Sequence, residues 1–221
     1  MTTNPKKEAH RISSPWAGDA AFNPPQNVQQ VKLKTGGRAV LRRAVSADAA
    51  QLVRMHGRLS PLSRYYRYMR PYVPTSGEME ELGVMAREKG ETFVAEVDDP
   101  EKRIVGLIYY IREAPPAGHK AEFGVTVEDG FQGDGLGRAM FEYMCEQAKS
   151  NDIHLMEAHV LAGNRKMLRL LDTCERPIRK VLSGESFTVT IDISDDFDNA
   201  QLCYLADAPA PLSAEYAAPC G

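Results

Sequence analysis

The sequence has no apolar run able to cross a bilayer. Its longest unbroken stretch, Ile104 to Ile111, holds eight residues with Gly106 inside it, against about 20 for a spanning helix. Its first residues, MTTNPKKEAHRISSPW, lack the apolar segment of a secretory signal. A cytoplasmic location away from membranes is therefore expected. Cysteine is scarce. Cys145, Cys174, Cys203 and Cys220 show no C-x-x-C spacing and no Cys/His cluster, so neither a metal nor a disulfide framework is expected. Charge of one sign is lacking too. With 27 Lys+Arg against 30 Asp+Glu, the balance gives no reason to expect nucleic acid as a partner.

What remains is an ordinary globular composition, 43% hydrophobic and 26% charged over 221 residues. Residues 1–36, with Pro5, Pro15, Pro24 and Pro25 and no sustained apolar period, read as a mobile tail. Residues 196–221 read as a second tail, acidic and rich in Ala and Pro. The folded unit is then 37–195, enough chain for one domain with a real core. Within it, strands are read at Arg38–Arg43, Thr92–Val97, Arg103–Arg112, Lys120–Val127, His154–Leu161, Ile178–Leu182 and Ser186–Ile193. Helices are read from Ser46, from Thr75 to about Lys89, over Leu136–Lys149 and over Asn164–Cys174. An arginine- and tyrosine-rich piece lies at Ser63–Met69. The fold class is α/β (α+β), a mixed, mostly antiparallel central sheet flanked by helices.

The segment that carries chemistry is Val125-Thr126-Val127-Glu128-Asp129-Gly130-Phe131-Gln132-Gly133-Asp134-Gly135-Leu136-Gly137-Arg138. A strand runs into a loop with four glycines, and the loop opens a helix. The first turn of a helix offers unpaired N–H groups and a partial positive charge. Glycines let that backbone approach a phosphate closely. Arg138 adds a cation at the same end. The P-loop spacing is absent, and Gly133-x-Gly135-x-Gly137 is not G-x-G-x-x-G. What is present is Gln132-x-x-Gly135-x-Gly137, the form Q/R-x-x-G-x-G/A.

By that motif the chain resembles the Gcn5-related N-acetyltransferase (GNAT) superfamily, over roughly Arg38 to Ile193. The element order agrees, as does a second signature, a strand followed by Asn164-x-x-Met167-x-x-Leu170 opening the next helix. The resemblance implies an acyl-CoA N-acyltransferase fold with acetyl-CoA as co-substrate and no metal. Its pyrophosphate would lie on Gln132, Gly133, Asp134, Gly135, Leu136, Gly137 and Arg138. Its pantetheine arm and thioester would lie on the main chain of Val125, Thr126 and Val127. Asn164 would be an N-cap, a ligand contact, or both. The stretch Leu59-Ser60-Pro61-Leu62-Ser63-Arg64-Tyr65-Tyr66-Arg67-Tyr68 and the triplet Ala121-Glu122-Phe123 are similar to the acetyltransferase domains of bacterial protein lysine acetyltransferases.

Attack of an amine on a thioester needs a proton acceptor. Glu122 is the candidate, on the strand leading into the loop and on the face opposite Phe123, Val125 and Val127. The alternative for Glu122 is a strand-end residue paired with a surface Lys or Arg, such as neighbouring Lys120. Glu128 and Asp129, in the turn after the strand, are expected to be solvated. The helix after Asn164 has no tyrosine, so a general acid is unassigned. Cys145 and Cys174 read as small core residues, Cys145 on the side of its helix away from the buried stripe. Arg54, Arg58, Arg64, Arg67 and Arg70, with no acid between them, suit an acceptor-side surface, a clamp for the CoA 3′-phosphate, or a solvated face. The expected activity is transfer of an acetyl group from acetyl-CoA to a primary amine in a ternary complex. The acceptor is a protein lysine or a small-molecule amine, a homodimer is left open, and a non-catalytic acyl-CoA sensor is the rival from another class.

Overall fold

The computed structural model describes residues 28–83, 85, 89–98, 101–114 and 118–194. The expected C-terminal tail, with Cys203 and Cys220, lies outside the described residues, as does the N-terminal tail up to residue 27. The elements run β1 (Gln29–Lys32), β2 (Arg38–Arg43), α1 (Ala49–Arg58), α2 (Pro61–Tyr68), α3 (Ser76–Gly83), β3 (Gly90–Asp98), β4 (Lys102–Arg112), β5 (Lys120–Val127), α4 (Leu136–Lys149), β6 (Leu155–Leu161), α5 (Arg165–Asp172), β7 (Ile178–Ser183) and β8 (Ser186–Asp192). They form one eight-stranded sheet in the order β1-β2-β3-β4-β5-β6-β8-β7. Every pairing is antiparallel except β5 with β6, which the crossover through α4 makes parallel.

The end of the expected N-terminal tail is part of this sheet. Gln29–Lys32 pairs with β2, and Leu33 is 3% exposed in the core. A four-residue polar edge strand has too little apolar period to be read locally; its pairing comes from the neighbour. α3 ends at Gly83, short of the expected Lys89. A Cβ at Gly83 would lie 2.9 Å from the Val45 carbonyl oxygen. Its start is as read: Thr75 Oγ1 accepts the Glu78 N–H and Glu78 accepts the Thr75 N–H, a capping box.

Helices cover both faces. On one, Leu136, Met140, Phe141 and Met144 of α4 pack on Phe93, Val105, Phe123, Met156 and Ile191. On the other, Leu52 and Met55 of α1 and Met79 of α3 pack on Val94, Ile104 and Leu107. That double cover explains why β4 is apolar nearly throughout. Cys145 and Cys174 are both buried. Cys145 is inside rather than away from the packed side, because α5 and the Arg176 turn cover that flank of α4.

A bulge at the β3–β4 pairing, where Ala95 faces Gly106 but Glu96 faces Ile104, lets Ile104 and Leu107 share one face although they are three residues apart. On the other edge of β4 the Val105 carbonyl accepts the Glu128 N–H at 2.8 Å, one rung beyond Gly106↔Val127, which anchors the end of β5. At Gly106 a Cβ would fall 2.7 Å from Met140 Sδ and 3.1 Å from Ala95 Cβ, so a side chain there must displace the buried Met140. Gly106→Val should cost about 1–3 kcal/mol by overpacking. At about 2–4 °C per kcal/mol for a chain of this size, calorimetry should show a clear fall in Tm. An unchanged Tm would contradict this packing.

Candidate active site

β5 and β6 pair for only three rungs, Lys120↔Leu155, Ala121↔Met156 and Glu122↔Glu157. Beyond Glu122, β5 stays with β4 as far as Val127↔Gly106, while β6 stays with β8 as far as Leu161↔Ser186. The two strands diverge into a wedge. Among the described residues, the wedge-facing main-chain edge of β5 past Glu122 has no strand partner, and apart from the Val127 carbonyl it is open to an extended ligand. The segment from Glu122 to Val127 spans about 17 Å.

Glu122 stands at the apex of this wedge. Its side chain is exposed and has no hydrogen-bond or ion-pair partner among the described residues. The alternative pairing with Lys120 is absent, because Lys120 Nζ holds Glu113 at 2.9 Å and Glu157 at 2.8 Å. The charge facing Glu122 is Arg67 of α2. Burial opposes the Arg67 charge, but Tyr109, Tyr68 and Glu122 outweigh it and raise its pKa. Arg67 donates to the Tyr109 hydroxyl, and its Nε is buried without a partner. Gly124 makes room for this cluster: a Cβ there would meet Arg67 Nη2 at 2.9 Å and Tyr109 Cζ at 3.0 Å.

Val125 and Val127 pack their side chains against the α4 core. Thr126 is buried on the other face, with no partner for its Oγ1. By strand alternation the main-chain groups of Val125 and Val127 turn to the wedge, whereas those of Thr126 turn to β4. Gln132 is a staple: Nε2 donates to the Val127 carbonyl at 2.9 Å, and Oε1 accepts from Lys166 at 2.8 Å. Asn164 caps α5, its Oδ1 accepting the Met167 N–H at 3.2 Å.

The four glycines divide by task. Gly133 and Gly135 adopt φ of +80° and +91°, conformations that cost other residues dearly. Space opens above both, the nearest atom to a Cβ on Gly135 being Lys34 Cε at 3.9 Å. Gly130 is a turn residue. Gly137 serves packing, since a Cβ there would strike Leu170 Cδ1 at 2.8 Å. Leu136 is fully buried, so only its N–H can face a ligand. Gly135 caps α4 without a side-chain bond, leaving the first N–H groups of the helix uncapped. They border a cleft of about 320 Å³ lined by Lys34, Gly133, Gly135, Arg138, Leu170 and Thr173. Main-chain donors, two cations and open glycines can hold a pyrophosphate.

Three acidic residues shape this loop, none of them free. Asp134 is 7% exposed; its carboxylate accepts the Thr35 N–H at 2.8 Å and the Thr35 hydroxyl at 2.7 Å. Its charge is thus spent on the β1–β2 turn. Glu128 and Asp129 are held rather than solvated. Arg58 and Arg103 bind Glu128, each at 2.9 Å. Asp129 accepts the Ser60 N–H and the hydroxyls of Ser60 and Ser63 at 2.7–2.9 Å. Burial works to raise its carboxyl, but these bonds outweigh it and hold it below the usual range. The two serines of the Leu59-to-Ser63 stretch are therefore anchors for the loop.

Sequence reasoning missed Lys34, which sat in the expected tail. It also missed the placing of Tyr66, whose hydroxyl reaches from α2 to the Gly163 carbonyl at 2.9 Å. α2 thus touches β5 through Arg67 and the β6–α5 turn through Tyr66, bridging the wedge. Beside it lies a second hollow of about 390 Å³ lined by Leu62, Tyr65, Tyr66, Leu161, Ala162, Gly163 and Glu185. Burial pushes the Cys145 and Cys174 thiols up, against any nucleophilic role. Thr35→Val should leave the buried Asp134 carboxylate without its hydroxyl donor and cost about 1–3 kcal/mol. Chemical denaturation at neutral pH measures this, and a loss below about 0.5 kcal/mol would place Asp134 in solvent.

Comparison with known proteins agrees with this geometry. A model of the acetyltransferase (GNAT) family matches residues 59–174, more than half of the chain. Acetyltransferase PA5475 of Pseudomonas aeruginosa is 28% identical over 151 residues, 67% of this chain and 80% of that protein. Among solved structures, the GNAT domain of S. lividans PAT superposes with a TM-score of 0.68 at 23% identity, covering 75% of this chain and 96% of that one. yncA from Salmonella typhimurium, solved with its cofactor acetyl-CoA, gives 0.57 at 15% identity over 72% of this chain and 95% of its own. A parted parallel pair, a glycine turn opening a helix, and a family match across both place this chain in the acetyltransferase (GNAT) family.

Proposed function

We infer the activity from the family, whose membership implies acyl transfer from an acyl-CoA to an amine. We propose that this chain moves an acetyl group from acetyl-CoA to a primary amine, a protein lysine, by direct attack in a ternary complex with Glu122 as general base. One observation carries the reading. The unpartnered carboxylate of Glu122 sits at the apex of the wedge, and the open glycine turn sits at the far end of the same strand.

The steps follow from that layout. Pyrophosphate lies on the α4 N-terminus, with the Gly133 and Gly135 backbone beneath it and Arg138 and Lys34 beside it. The acyl-bearing arm pairs with the free edge of β5, and a main-chain N–H there meets the oxyanion. The amine approaches under α2, and Glu122 takes its proton, directly or through water. The hollow beside Tyr66 supports a lysine acceptor. Tyr65 and Tyr66 suit apolar stems, and Glu185 a basic residue, of the peptide flanking that lysine, whose own amine must reach Glu122. A cytoplasmic location goes with this reading. No described helix is long and apolar enough to cross a membrane.

Two variants test the reading. Gly135→Val puts a branched side chain into the phosphate cleft at φ +91°. Calorimetry should show acetyl-CoA affinity at least tenfold lower, about 1.4 kcal/mol, with circular dichroism unchanged; full affinity would remove the pyrophosphate from this turn. Glu122→Gln keeps shape and removes the basic oxygen. Acetyl-CoA affinity should stay within about threefold while turnover of a lysine peptide at pH 7 falls by roughly 10²-fold. A lysine amine with pKa near 10.4 is almost wholly protonated there, so higher pH should restore part of the rate. Normal turnover by this variant at pH 7 would reject Glu122 as the base.

A further inference from the structure

Three side chains at the other end of the β5–β6 pair have no part in acyl transfer. His119 immediately precedes β5, and Asp152 and His154 lie in the turn between α4 and β6. His119 Nδ1 stands 3.0 Å from Asp152 Oδ2, and His154 Nε2 stands 3.2 Å from Asp152 Oδ1. The imidazole rings stack with centroids 5.0 Å apart and planes 15° from parallel. One donor atom from each residue lies within 4.8 Å of the other two, and all three residues are exposed.

The backbone beneath them is fixed. The N–H groups of His154 and Leu155 both donate to the His119 carbonyl, at 2.8 and 3.1 Å. Arg112 ties the two turns together by donating to the carbonyls of Gly118 and Asn151. Asn151 Nδ2 in turn donates to Glu91 at 2.8 Å and to the buried Tyr110 hydroxyl at 2.9 Å. Asp152 itself is held at φ +61°, a left-handed conformation uncommon outside glycine.

We propose that His119, Asp152 and His154 bind a borderline divalent transition-metal ion, zinc above all. Two imidazoles and a carboxylate are ligands for zinc, whereas magnesium and calcium take oxygen donors. With bonds of 2.0–2.2 Å, tetrahedral zinc sets its ligand atoms about 3.3 Å apart. In two of the three separations, His119 Nδ1 and His154 Nε2 stand near that spacing from different oxygens of the Asp152 carboxylate, and His119 Nδ1 also lies 3.1 Å from the Asp152 carbonyl oxygen, a contact that a bound ion would displace. Rotation of two exposed rings closes the third, and water fills the open position. The bound ion bridges the turn before β5 to the turn before β6. It thereby clasps the parallel pair at the end opposite the wedge, on a scaffold that Arg112 and Asn151 already hold.

Isothermal titration of zinc chloride into untagged, chelator-stripped full-length protein tests this, with thermal unfolding as a second readout. One ion should bind per chain with a micromolar Kd. At a hundredfold excess over Kd, Tm should rise by roughly 5–10 °C, and the rise should vanish on adding EDTA. Magnesium should do neither. His119→Ala and His154→Ala should each weaken zinc binding by at least tenfold, while His159→Ala, on the nearby exposed His159, should leave it unchanged. These residues are exposed, so the variants should keep the wild-type circular dichroism. Absence of saturable one-to-one binding, or binding that persists in the His119→Ala/His154→Ala double variant, would overturn the site. Neither result bears on the acyl-transfer reading, because the wedge and the glycine turn contain none of these residues.

Discussion

The site depends on where β5 and β6 stop pairing. Three parallel rungs end at Glu122↔Glu157, and past them each strand belongs to a different neighbour. Unpaired main-chain groups facing a dry interior would be costly, so such an edge persists only where water or a ligand can reach it. The same parting opens a channel between the strands and leaves Glu122 at its closed end. A full-length pairing of β5 with β6 would satisfy the backbone and abolish the site.

Polar anchors hold β5 on its side of the wedge. The Val105 carbonyl takes the Glu128 N–H, and Arg58 and Arg103 take the Glu128 carboxylate. Ser60 and Ser63 take Asp129, and Thr35 takes Asp134. Each acid of the loop is thereby bonded to an element distant in sequence. Two effects follow. The loop is tied into its curve before any ligand arrives, and the anionic groups nearest a phosphate ligand are turned away from it. What then faces the cleft is cationic or neutral: N–H groups, Lys34, Arg138 and bare glycine backbone.

Much of this was legible in the chain. The strands β2 to β8 and the exact span of α4 follow from apolar periods and turn residues. The glycine loop with Gln132 pointed to a phosphate-bearing ligand, and the alternation of β5 put Glu122 and Phe123 on opposite faces. The failures share one cause. β1 has no apolar signature because an edge strand is specified by its neighbour. Glu128 and Asp129 looked solvated because their partners are 25–70 residues away. Gly137 has a packing task that the motif does not announce, since its missing Cβ accommodates Leu170 from a helix about 30 residues on.

The sequence by itself determined the order of elements, the glycine-rich turn opening α4 and the carboxylate on the strand leading to it. These are local properties, set by period, glycine content and helix polarity over a few residues. Tertiary structure alone decided that β5 and β6 part at Glu122, that Lys34 reaches the cleft and that Arg67 faces Glu122. It alone brought His119 beside Asp152 and His154. Each of these is a contact between segments more than 30 residues apart, fixed by how the sheet is ordered and how α4 crosses it, and no local pattern encodes such a distance.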